Sequence, residues 1–206
     1  MKQKAGLTAI LPEWINSGKT AVIVCIIASI LFSFSGCQSF RTGSGYSLES
    51  KYSLKKRKSY ISCIPEGGGP VITRRLPLRV SGRSMEQLHA CIEEYLGTRY
   101  RPGGTNPDGF DCSGFVQFLY KNNFRMLLPR TSGELALLGS MVLKTQLRPG
   151  DLVFFSRDGS RIDHVGIFTG ENTFVHASTN GVKFSNLFEQ YYFTHYAFAS
   201  RLLTTE

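Results

Sequence analysis

At 206 residues the chain has room for one ordinary domain and some additional segments, not for two full domains. An apolar fraction of 42% and an aromatic fraction of 12% exclude a wholly disordered chain. The formal charge of +9 is local: residues 41–83 carry ten Lys or Arg against Glu49 and Glu66, a net +8, and residues 84–206 carry eleven against twelve Asp or Glu, a net −1. A basic groove for nucleic acid in the folded part is thereby excluded.

The N-terminus reads as an export signal. Lys2, Lys4 and Lys19 precede an uncharged apolar run from Ala21 to Phe34, followed by Ser35-Gly36-Cys37. As a helix this run rises about 21 Å, short of the roughly 30 Å hydrocarbon core, which suits a signal-peptide apolar region better than a spanning helix. Phe34-Ser35-Gly36-Cys37 resembles the lipobox of bacterial lipoproteins. That resemblance implies cleavage after Gly36, a lipid on Cys37 and a membrane partner through that anchor. Gln38 follows the Cys where Asp would resemble an inner-membrane retention signal, so an outer membrane facing the periplasm is expected in a two-membrane cell.

From residue 37 to 83 the composition is Ser, Gly, Lys and Arg with little apolar periodicity, and Gly67-Gly68-Gly69-Pro70 is a linker signal. A flexible basic tether is expected there. The folded domain is expected over 84–206. It opens with a helix capped by Ser84, with Gln87 at the capping-box position and an apolar stripe of Met85, Leu88, Ile92, Tyr95 and Leu96, ended by Gly97. A Gly/Pro-rich loop over 101–109 leads to a second helix from Cys112 to about Asn122, and Thr131 or Ser132 caps a third near Glu134–Leu138. Strands follow at 151–156, 164–169, 173–178, 182–184 and 196–202. Helices first and closely connected strands after predict an α+β fold.

Chemistry concentrates in four stretches. Cys112 stands where a Gly-rich loop turns into a helix, flanked by Asp111 and Ser113, small polar residues able to serve the cap. The partial positive charge at a helix N-terminus lowers a thiol pKa and makes thiolate available near neutral pH. A purely structural cysteine gains nothing from such an approach. The bases on offer are His89, His164, His176 and His195, of which the first and last read as structural or surface residues. His164 and His176 flank a hairpin turning near Gly170-Glu171-Asn172. With a three-residue loop they share one face, leaving Val165, Ile167, Val175 and Ala177 on the other. A two-residue loop separates them unless a bulge intervenes. Two strand histidines are also compatible with half a metal site. Cys63 and Cys91 are free to form a disulfide, though nothing local demands it, and no Cys/His cluster has zinc spacing.

Gly109-Phe110-Asp111-Cys112-Ser113-Gly114-Phe115-Val116, Pro149-Gly150-Asp151-Leu152-Val153-Phe154-Phe155, His164-Val165-Gly166-Ile167 and Phe174-Val175-His176-Ala177-Ser178, in this order, resemble the NlpC family of bacterial cell-wall cysteine peptidases. The resemblance covers about residues 84–202 and implies a reduced papain-like domain with N-terminal helices on a mostly antiparallel sheet. It assigns Cys112 as nucleophile, His164 as general base and acid, His176 as the residue orienting His164, and Tyr100 as an oxyanion donor. Asp111 and Ser113 are carried as substrate-binding candidates, Asp111 also as a cap. Leu128-Pro129-Arg130-Thr131-Ser132 also resembles the family and is read as architecture. The implied reaction is acyl transfer on peptidoglycan peptide bonds by a monomer, with no metal and no organic cofactor. The other readings are a papain-like amidase or acyltransferase, and a non-catalytic wall-binding lipoprotein.

Overall fold

A computed structural model describes residues 56–206, so the expected signal segment, the lipidation site at Cys37 and the start of the tether lie outside the described residues. The remainder of the expected tether is folded. Strand β1 (Tyr60–Cys63) pairs antiparallel with β2 (Ile72–Arg75), and β3 (Leu78–Val80) follows. Ile61, Cys63, Leu76 and Val80 are buried in the main core. The boundary expected at Ser84 therefore lies too late. Nor is the basic run all solvated. The Arg57 guanidinium donates to the carbonyls of Ala136, Leu138 and Gly139 and lies over the Phe198 ring.

Helix α1 (Gly82–Glu94) buries Met85, Leu88 and Ile92, as its stripe predicts. Its cap is Ser81, not Ser84: the Ser81 hydroxyl accepts from the Ser84 N–H, so the helix starts one turn earlier. Two short strands, β4 (Thr105–Asn106) and β5 (Gly109–Phe110), form a small hairpin ahead of helix α2 (Cys112–Phe124). Phe115, Val116, Leu119 and Tyr120 of α2 are fully buried. Each contributes about 1.5–3 kcal/mol of burial free energy relative to exposure, so α2 is the central helix of the core. β6 (Met126–Leu127) extends the β2-β1 sheet. Helix α3 (Ser132–Leu135) carries the Thr131/Glu134 capping box.

The main sheet comprises β7 (Ser140–Val142), β8 (Leu152–Phe155), β9 (His164–Gly170), β10 (Thr173–Ser178), β11 (Gly181–Asn186) and β12 (Tyr196–Arg201), in the order β11-β10-β9-β8-β12-β7. Every pairing is antiparallel. Residue alternation sends Leu152, Phe154, Val165, Ile167, Val175 and Ala177 to the core under α2. The opposite set, Val153, Phe155, Phe168 and Phe174, packs into a second cluster with Leu187 and with Tyr192 from the short helix α4 (Gln190–His195). Both faces of the central strands are thus covered, which is why Leu152–Phe155 reads as an unbroken apolar run. β13 (Leu203–Thr205) runs parallel to β3 and ties the C-terminal end to the strands before α1.

The β9–β10 turn resolves the question of face. Gly170 pairs with Thr173 across a two-residue turn in which Glu171 and Asn172 both have positive φ, the geometry of a type I′ hairpin. A bulge between Thr173 and Phe174 then shifts the register, and Val175 pairs with Ile167. Continuing that register places His176 opposite Gly166. The loop is the short one, and the bulge returns both histidines to one face.

Candidate active site

Cys112 is the first residue of α2, with Asp111 as its N-cap. The approach loop is held by close backbone contact. A Cβ on Gly114 would stand 2.0 Å from the Gly104 carbonyl oxygen, and one on Gly104 would stand 2.1 Å from that of Gly109. These glycines let the loop fold against the first turn of α2, whose Cys112 lines a hollow with Tyr100 and Arg130. Asp111 is held on every side. Its carboxylate accepts from the Gly114 N–H at 2.7 Å, the Gly103 N–H at 3.0 Å, the Ser113 hydroxyl at 3.2 Å and the Arg130 guanidinium. Burial pushes the Asp111 pKa up, but Arg130 and the Gly114 N–H outweigh it and hold the carboxyl below its ordinary value. Both oxygens are engaged, so the geometry shows Asp111 as a cap and loop clamp, and Ser113 also lies under Arg130 at 2.9 Å. Arg130, read from sequence as architecture, is thereby a wall of the site. The stretch around Arg130 resembles the family, but no local spacing ties it to the site, because its partner Asp111 lies 19 residues away along the chain.

The thiol of Cys112 is buried and donates weakly to the Asp163 carbonyl at 4.0 Å. The expected lowering of its pKa is not what its surroundings produce. Desolvation by burial raises it. Backbone N–H groups of Val165, Ser113 and Cys112 oppose that, Asp111 adds to it, and the net direction is upward. The helix terminus contributes its N–H groups as expected, but the sequence carries no signal of how deeply the sulfur sits.

His164 opens β9, half-buried, directly between the two residues whose backbone faces the sulfur. Its Nε2 lies 2.8 Å from Nδ1 of His176, with the rings nearly perpendicular at 89°. His176 is buried, and its Nε2 faces the Ser185 hydroxyl at 3.3 Å and the Tyr192 hydroxyl at 3.2 Å. Desolvation pushes His164 down to about 4 and His176 down to about 2. Both imidazoles are therefore neutral at pH 7, next to a neutral thiol. Tyr100 lies between two hollows: one of about 400 Å³ with Cys112, Ser113 and Arg130, the other of about 310 Å³ with His164, His176 and Tyr192. Burial and the nearby Cys112 and Asp111 raise its phenol pKa. The structure thus brings together Cys112, His164, His176, Tyr100, Asp111 and Ser113. His195 also rims the second hollow, whereas His89 lines a separate groove of about 650 Å³ between α1 and β13 that holds none of these residues. Cys63, Cys91 and Cys112 are all free thiols. Among the described residues no group of His, Cys, Asp and Glu is arranged to hold a metal ion.

The NlpC/P60 family profile matches residues 97–201, the span that holds Tyr100, Asp111, Cys112, Ser113, Arg130, His164 and His176. The chain belongs to the NlpC/P60 family. It is 44% identical over 126 residues to the murein DD-endopeptidase MepS/murein LD-carboxypeptidase of Escherichia coli K12, a match covering 61% of this chain and 64% of that protein. It is 42% identical over 117 residues to the probable endopeptidase NlpC homolog of Haemophilus influenzae, covering 56% of this chain and 62% of the relative. The matches therefore span somewhat under two thirds of these relatives' lengths. Among solved structures, an NlpC/P60 family protein from Bacillus cereus superposes with a TM-score of 0.56 at 27% identity, covering 73% of this chain and 53% of that one. The NlpC/p60 domain of the peptidoglycan hydrolase SagA superposes at 0.50 with 28% identity, covering 59% of this chain and 98% of the domain. The α+β papain-like architecture is the family's.

A pH dependence of stability follows from the two NlpC/P60-domain histidines. In the unfolded chain each titrates near 6.5, while in the folded chain both bind protons only at far lower pH. Between those values the unfolded state holds more protons, so stability falls as pH falls from about 6.5 toward 4, at about 1.4 kcal/mol per pH unit for each proton of difference. Urea unfolding at pH 7 and pH 5 is expected to differ by about 2 kcal/mol from buried His176 alone. His176→Asn, which removes that titration, is expected to flatten the slope. An equal slope in the variant would refute the assignment.

Proposed function

We propose that the protein is a cell-envelope cysteine endopeptidase that cleaves peptide bonds in peptidoglycan, anchored by lipid on Cys37. The observation that carries this reading is the His164–His176 contact at 2.8 Å beside a cysteine at a helix N-terminus. With His164 Nε2 engaged by His176, the remaining imidazole nitrogen, Nδ1, is the one left to act as base. In the proposed cycle the Cys112 sulfur attacks the peptide carbonyl carbon while its proton passes to His164 Nδ1. The tetrahedral oxyanion is received by the Tyr100 hydroxyl and the Cys112 N–H. Collapse breaks the C–N bond, the leaving amine takes the proton from His164, and water, deprotonated by the same imidazole, releases the acyl group and restores the thiol. Because thiol and imidazole are both neutral at rest, the proton moves as the carbon–sulfur bond forms.

The peptidoglycan substrate is supported by the likeness to the E. coli murein endopeptidase and carboxypeptidase and by the export signal expected at the N-terminus, and the endopeptidase activity also by the likeness to the probable endopeptidase of H. influenzae. The nearly neutral domain is compatible with stem peptides carrying both charges. Digestion of purified sacculi with the full chain in detergent, followed by mass spectrometry of the muropeptides, tests the reading. Loss of cross-linked dimers with gain of monomers identifies endopeptidase action; shortened tetrapeptide stems identify carboxypeptidase action. Sacculi unchanged across pH 5–8 would refute it.

A further inference from the structure

The proposed chemistry depends on which nitrogen of His176 carries the proton. A neutral imidazole has one N–H and one lone pair. If His176 is protonated at Nδ1, it donates to His164 Nε2, and His164 must then hold its own proton on Nδ1, where it cannot accept one from the thiol. If His176 is protonated at Nε2, its Nδ1 lone pair accepts from His164 Nε2–H, and His164 Nδ1 is left open as a base. The triad functions from the second state only.

What faces His176 Nε2 decides between the two. Two hydroxyl oxygens stand at nearly equal distance from it, Ser185 at 3.3 Å and Tyr192 at 3.2 Å. One N–H is readily shared between two acceptor oxygens in a three-centre bond, whereas one ring lone pair takes a single well-aligned donor. Two oxygens at matched range therefore suit a donor nitrogen. Both groups are buried, and the Tyr192 ring belongs to the second cluster while also walling the hollow beside His176. Ser185 is 4% exposed and lies on β11, opposite Phe174; Tyr192 is 8% exposed and comes from α4. The Tyr192 ring packs edge-on against Phe155, Phe174 and His176, so its hydroxyl is held in place by three aromatic contacts.

We propose that Ser185 and Tyr192 are positioning residues that fix His176 in its Nε2–H tautomer and thereby leave His164 Nδ1 free to act as base. This rests on the cysteine-peptidase reading, and it gives α4 and β11 a part in the reaction although neither reaches the sulfur. Partners that set a ligand or base through a second residue typically account for about 10–100-fold in activity.

The test reads the tautomer without substrate. In the full chain labelled with 15N-histidine, long-range 1H–15N correlation at pH 7 is expected to show His176 as the Nε2–H form. In Ser185→Ala/Tyr192→Phe, which keeps the ring packing, the Nδ1–H form is expected to appear, and kcat on muropeptides to fall about 10–100-fold with KM within about twofold. Ser185→Thr, retaining a hydroxyl, is expected to restore most of the rate lost in Ser185→Ala. Far- and near-ultraviolet circular dichroism of the double variant matching the parent separates this from misfolding. A parent protein in the Nδ1–H form, or a double variant keeping both the Nε2–H form and kcat, overturns the proposal. Absence of muropeptide cleavage by the parent overturns the peptidase reading instead, and leaves the tautomer result standing.

Discussion

Cys112→Ala is expected to abolish muropeptide release, with kcat reduced by at least about a thousandfold, while the folded structure stays intact. The reaction has no second route through this site, because the serine hydroxyls that line the two hollows are engaged elsewhere: Ser113 with Asp111 and Arg130, Ser132 with the Ile162 carbonyl and Ser178 with the Gly181 carbonyl. Loss of the sulfur leaves a small buried void at the start of α2, and the Asp111 cap on that helix is made by other groups, so unfolding midpoints should move little. Cys112→Ser is a sharper probe. It keeps the shape, but its hydroxyl has a far higher pKa than a thiol and faces a neutral imidazole that burial has made a weak base. Release by Cys112→Ser should therefore be as low as by Cys112→Ala. Iodoacetamide labelling should be slow in the free protein, since the thiol is raised above its ordinary value by burial, and should accelerate steeply above neutral pH. Full activity in Cys112→Ala would remove the nucleophile assignment altogether.

The same burial explains where sequence reasoning reached and where it stopped. α2, the β9–β10 hairpin and β8 were legible because their apolar residues recur at periods of 3.6, 2 and 1, and a buried face or strand enforces those periods. The resemblance carried by the four ordered motifs likewise pointed to Cys112, His164 and His176, and with them to Tyr100, as residues of one site. The strands before α1 were not legible. In Tyr60–Cys63 only Ile61 and Cys63 turn inward, and Ile72–Arg75 is largely exposed, so neither shows a pattern distinguishable from a polar linker. Arg57 looked like part of a solvated charge run because the carbonyls that receive it lie some 80 residues further along the chain. Ser185 and Tyr192 carry no spacing relation to His176. They meet it only because β11 pairs with β10 and the turn after β11 folds α4 over the same face. The direction of the thiol shift failed for a related reason: a helix N-terminus is written in local sequence, and the depth of an atom is not.

Asp151 shows how a motif residue outside the chemistry is expected to have the largest effect on stability. It stands at the head of β8, 1% exposed, in the Pro149-Gly150-Asp151 stretch. Its two carboxylate oxygens accept from Arg201 Nε at 2.8 Å and Arg201 NH2 at 2.7 Å, and one also accepts from the Arg148 N–H at 2.8 Å. The pair joins the start of β8 to the end of β12, and Arg201 also donates to the Gln146 carbonyl, so one ion pair ties β8, β12 and the connection from β7. Gly150, at φ +88, makes the turn that aims Asp151 inward, and a Cβ there would press on Met85 at 2.9 Å. Replacing both ends of such a buried pair with apolar groups is often tolerated, but removing one end leaves an uncompensated charge. Asp151→Ala is therefore expected to cost about 3–5 kcal/mol in urea unfolding, and Arg201→Met in the same background to recover part of it. Each deletion leaves one charge without its counterpart, so the double variant should lose less than the sum of the single ones. Strict additivity would mean that Asp151 acts through the Arg148 N–H alone and that the ion pair does not hold the sheet.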